Sequence, residues 1–87
     1  MPYIDQDRRF LLDPSQRELG GPNQPETVGE LNFVITREVS EWIKRVGLNY
    51  TSINAAIGVL ECAKLELYRR IAAPYENIQC EQNGDVF

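Results

Sequence analysis

Eighty-seven residues make one small domain. A domain of that size buries only roughly 60–65% of its unfolded surface, so a thin core and oligomerisation are expected. Nine basic residues against 13 acidic ones give a net charge of −4, which argues against a general nucleic-acid grip. No run approaches about 18 apolar residues, and MPYIDQDRR lacks the order of a signal peptide, so neither a membrane span nor secretion is expected.

Histidine is absent, and Cys62 and Cys80 are the only cysteines. A zinc site wants more nitrogen and sulfur ligands than that. Two free thiols are the expectation for a reducing cytoplasm. Without histidine the commonest general base near neutral pH is missing, and no nucleophile–base pair can be assembled. No catalytic residue, metal or cofactor is expected, and the chain does not read as an enzyme.

In chain order, residues 1–26 form an arm, a short helix and a linker, and 27–87 form a helical domain with a tail. The first twelve residues carry Tyr3, Ile4, Phe10, Leu11 and Leu12 as apolar anchors on an extended or briefly helical arm. Asp13-Pro14 reads as the start of a short helix over PSQREL. GGPNQPE (20–26) is an irregular linker.

Thr27 and Glu30 make a capping box and open the first long helix. Leu31, Val34, Ile35, Val39, Trp42, Ile43 and Val46 repeat at spacings of three and four, the mark of one buried stripe, with Phe33 off its centre. Gly47 closes the helix, with Leu48 placed for the apolar contact of a Schellman cap. A short turn follows, with Thr51 favoured over Asn49 and Ser52 as the next N-cap. Short links join antiparallel neighbours, so a helical hairpin over about 27–47 and 51–73 is predicted.

On the second helix Ile53, Ala56, Ile57, Leu60, Ala63, Leu67 and Ile71 make the core stripe. Ala55, Gly58 and Cys62 make a line of small side chains that suits close approach by the first helix, another subunit or a ligand. Pro74 is expected to end the helix. In the tail, Ile78 and Cys80 alternate with polar residues, and Asn83-Gly84 is a strong hairpin-turn signal. The predicted fold is therefore mainly α: an antiparallel helical hairpin with a short N-terminal helix and a tail carrying the signals of a small β-hairpin. Two helices leave one apolar side short of cover, so a dimer or higher homo-oligomer is predicted.

Candidate chemistry gathers near Pro74. Glu66, Tyr68, Arg69 and Arg70 precede it, and Tyr75 and Glu76 follow. One reading is a solvated face in which arginines complement the helix C-terminus and Glu66 pairs with Arg70. The other is an anion site, with guanidinium forks for phosphate or carboxylate and tyrosines to stack on a base, joined by Arg37 where oligomerisation brings the first helix near.

GELNFVITR (29–37), GLNYTSINAAIGVLECAKLELYRRIAAPYE (47–76) and NGDVF (83–87) resemble a family of small uncharacterised proteins from tailed phages and prophages. Those proteins show GELNY-ITR, a G-LE-AK-E-YRR---PYE block and a terminal NGDVY. Phe33 and Phe87 stand here where that pattern tends to tyrosine. The resemblance implies a small phage accessory protein acting in the host cytoplasm. Its marked polar positions are Asn32, Thr36, Arg37, Glu66, Tyr68, Arg69, Arg70, Tyr75, Glu76, Asn83 and Asp85, a set that suits a ligand pocket or a subunit interface. The function expected first is a non-enzymatic binding protein that sequesters a small anionic ligand such as a signalling nucleotide against host defence; the alternatives are binding a host or phage protein and a structural or assembly role in the virion.

Overall fold

The computed structural model describes residues 3–14 and 21–87. All regular structure among them is helical: α1 (Gln6–Leu12), α2 (Val28–Val46), α3 (Tyr50–Leu67), a π-helical turn (Tyr68–Ala72) and α4 (Ala73–Asn83). The mainly α class is as predicted. The two long helices of the expected hairpin, α2 and α3, are both present and are linked by residues 47–49. The chain divides into two compact units, Met1–Ser52 and Ile53–Phe87.

In the first unit α1 packs against α2. The short N-terminal helix lies at Gln6–Leu12, upstream of the expected one. Most of PSQREL falls outside the described residues. Asp13 directly follows α1, and its carboxylate takes an ion pair from Arg37 at 3.5 Å. Leu12 is fully buried and Phe33 is 8% exposed.

That places the core on a different face of α2 from the one predicted. Leu31, Ile35, Trp42 and Val46 are exposed, while Phe33 is buried. Glu30, Phe33, Arg37 and Glu41 recur at helical spacing and share one side of α2. The arm docks there because its charges find partners on either side of the phenyl ring. Arg8 meets Glu30 at one end, and Asp13 meets Arg37 at the other.

The caps are local and explicit. The Glu30 amide donates to Thr27 Oγ1 at 3.1 Å, and the Glu26 amide donates to Glu30 Oε1 at 2.9 Å, so Glu30 reaches back one residue further than a standard capping box. Gly47 adopts φ +109° and its amide donates to the Ile43 carbonyl at 2.8 Å. Leu48 is 79% exposed, so the apolar contact of a Schellman cap is not made. Asn49, not Thr51, caps α3. The Ser52 amide donates to Asn49 Oδ1 at 2.9 Å and the Asn49 amide donates to Ser52 Oγ at 3.1 Å, a reciprocal box. The buried Ser52 hydroxyl also donates to the Gly47 carbonyl at 2.6 Å, which ties the turn to the helix start.

In the second unit two expectations are overturned. Pro74 does not stop the helix. The backbone widens into a π turn at Tyr68–Ala72, and Pro74 then sits in the first turn of α4, where the widened turn accommodates its ring. The tail is not a β-hairpin either: Ala73–Asn83 is helical, and 84–87 has no regular structure. Gly84, at φ +87°, donates its amide to the Cys80 carbonyl at 2.9 Å and terminates α4. A glycine free to take positive φ serves a hairpin turn and a helix C-cap equally well, so Asn83-Gly84 carries both signals.

Candidate functional site

Helical backbone is continuous from 53 to 83 and carries eight of the nine predicted site residues within its span or just past it. Glu66 accepts from Arg69 and forms an ion pair with Arg70 Nε at 3.5 Å. One carboxylate thus serves two guanidinium groups. All three side chains are more than half exposed, so these pairs contribute little to stability. The Tyr68 hydroxyl donates to Glu76 Oε2 at 3.4 Å, one carboxylate across the π turn. Tyr75 is 62% exposed.

The C-terminal pair keeps to local work. Asn83 donates through Nδ2 to Gln79 Oε1 at 2.9 Å, and Asp85 Oδ1 accepts from the Phe87 amide at 2.9 Å. Both residues line a shallow concavity with Glu76, Asn77 and Cys80. Arg37 belongs to the other unit. Its Nη2 donates to Glu41 Oε1 at 2.6 Å and reaches Asp13 at 3.5 Å, so it works as a clamp for the arm. Because the helical run continues through Pro74, Arg69 and Arg70 lie mid-run. The complement to a helix C-terminus predicted for them does not arise.

The strongest electrostatic feature escaped the sequence reading. Arg8 donates to both oxygens of Glu30, at 2.9 and 3.0 Å, and to the Gln24 carbonyl at 2.7 Å. The bidentate fork is the strong geometry for such a pair. The Arg8 hydrogen bonds and the Glu26 amide hold the Glu30 carboxyl down to about 2, and the same bonds raise Arg8. The partners are 22 residues apart, so no helical spacing could announce them.

Apolar exposure marks the other surface. Ile57, Leu60, Leu67 and Ile71 lie exposed along 53–83, at 60%, 39%, 59% and 63%. Leu67, Tyr68 and Ile71 also line an apolar concavity with Lys64 and Leu65. A Cβ added at Gly58 meets nothing within 4 Å in the single chain. Cys62 and Cys80 are free and exposed. No described helix is long and apolar enough to cross a membrane.

A family model of a domain of unknown function, DUF6899, matches residues 1–86. The chain belongs to that family. No curated protein and no solved structure matches it significantly. Family membership brings no activity with it, so function rests on the surfaces described above.

Proposed function

We propose that this chain is a non-enzymatic protein-interaction module that docks through the helical run 53–83, a small phage accessory protein at work in the host cytoplasm. The row of large apolar side chains left open at Ile57, Leu60, Leu67 and Ile71 carries this reading. Soluble proteins rarely leave such a row open unless something covers it in use. The partner is a host or phage protein, a second copy, or both in turn. The phage setting rests on the motif resemblance alone.

Carbene footprinting tests the docking role. The full-length chain is labelled once as pure dilute protein and once in lysate of cells that express it. Protection of Leu60, Leu67 and Ile71 in the lysate is the expected result. Equal labelling of all three in both samples overturns the reading.

A second reading keeps the anionic ligand. Tyr68, Arg69, Arg70 and Tyr75 are all more than half exposed within one stretch of the same run, available to a small anion such as a signalling nucleotide. It ranks below the first because Glu66 already engages both guanidinium groups. Calorimetry against a nucleotide panel tests it, and absence of heat with every member ends it. A role in virion assembly would require the chain to be present in purified particles by mass spectrometry.

A further inference from the structure

Resting on the interaction-module reading, we infer that the 53–71 face docks onto the same face of a second copy, antiparallel, with Leu60 opposite Lys64 of that copy. The face has a regular grammar. Ile53, Ile57, Leu60, Lys64 and Leu67 are spaced four, three, four and three apart within α3, the seam of a heptad repeat, and Ile71 follows four residues on in the π turn. Five of the six are isoleucine or leucine, and Lys64 is the exception. A lone lysine in such a seam selects the partner's direction and register at some cost in stability.

Direction follows from charge. A parallel pair brings the Lys64 side chains of the two copies into one layer, where like charges repel. An antiparallel pair separates them. Each Lys64 then lies across from Leu60 and beside Glu61 of the second copy. Within one chain Lys64 Nζ already stands 3.4 Å from Glu61 Oε1, and both side chains are open to solvent. The two-fold axis would gather two lysines and two glutamates into a neutral cluster. Such an interface is isologous: one patch supplies both halves.

Register follows from Pro74. With Leu60 opposite Lys64, the other layers are Ile53 against Ile71 and Ile57 against Leu67. Sliding by one heptad places Ile57 opposite Pro74 and loses an apolar layer. Only the first register fills every layer with the seam residues themselves.

Glu61→Lys and Lys64→Glu variants of the full-length chain test this by sedimentation, with circular dichroism to confirm that helix content is kept. The natural chain is expected to be a dimer at tens of micromolar. Each variant places four like charges at the axis and is expected to sediment as a monomer there. An equimolar mixture restores two of each sign, and native mass spectrometry is expected to show dimers holding one of each variant. A natural chain that stays monomeric throughout overturns the inference, as does a mixture no better associated than its separate components. A monomeric pure chain whose Leu60, Leu67 and Ile71 are nonetheless protected in lysate would leave the interaction module standing and assign the face to a different protein.

Discussion

The amide of Ala73 donates to the carbonyl of Tyr68, five residues back instead of four. That one bond explains why the helix survives its proline. In a regular α-helix the Pro74 ring would press on the Arg70 carbonyl and leave it without a donor. Widening the preceding turn by one residue relieves the clash, the usual origin of a π bulge. The surplus residue also rotates everything beyond Ala72, so the phase of α4 is not that of α3. Pro74→Ala should let the run close as a plain α-helix. It should raise the unfolding free energy, by less than the roughly 3 kcal/mol of an unaccommodated interior proline. A chemical-denaturation series on the two proteins measures the difference, and a loss of stability in the alanine variant contradicts this account.

The Arg8–Glu30 clamp fixes an acid-sensitive step. The Glu30 carboxyl titrates near 2 in the folded chain, below its ordinary 4.5. A depressed carboxyl pKa stabilises the fold fully above 4.5, and that contribution fades as pH falls toward 2. Thermal midpoints measured across this window should drop for the natural chain. Glu30→Gln should be less stable at neutral pH and flatter across the window. An unchanged slope in that variant would show that other carboxylates carry the effect.

Much of the fold was legible because its signals are local. The Thr27–Glu30 cap, the Gly47 stop and the two long apolar-periodic helices each depend on residues a few positions apart. What was not legible depends on partners far apart or on signals with two meanings. Periodicity ranked Leu31, Ile35 and Trp42 above Phe33, since it cannot see that Arg8 and Asp13 bring the arm onto the Glu30–Arg37 side. Pro74 means a stop or a π bulge, and Asn83-Gly84 a hairpin or a helix end. The site was half legible. Glu66, Arg69 and Arg70 do converge, but on each other, and Arg37 is taken up by Asp13 and Glu41.

Burial ranks two aromatic truncations against expectation from size. Phe33 is 8% exposed and Trp42 is 38% exposed. Phe33→Ala should cost about 3 kcal/mol, the low end for a buried phenyl ring. Trp42→Ala should cost about half as much or less, despite the larger side chain. Should the tryptophan variant prove the more damaging by denaturant titration, the α2 face bearing Leu31, Ile35 and Trp42 is the better covered one in solution.

Gly58 separates packing from propensity. A methyl group there meets no atom within 4 Å, so within one chain Gly58→Ala only removes the helix cost of glycine. The expected gain is about 1 kcal/mol in dilute protein, read from denaturation midpoints. Gly58 also lies away from the 53–71 seam, so the association constant should not change. Weaker association in the alanine variant would put a second interface on the small-residue side.

Glu66 offers the sharpest test of the anion reading. Its carboxylate occupies the Arg69 guanidinium and stands 3.5 Å from the Arg70 Nε, so a phosphate must displace it to reach either fork. Glu66→Gln removes the competitor and leaves both arginines in place. If nucleotide binding occurs here, the variant should bind more tightly than the natural chain, by about tenfold for each 1.4 kcal/mol of released competition. Affinity in both should fall with added salt, since the contacts are exposed. Glu66→Gln binding no better than the natural chain, or binding indifferent to salt, would remove these arginines from the site and leave the cluster as a solvated ion-pair face.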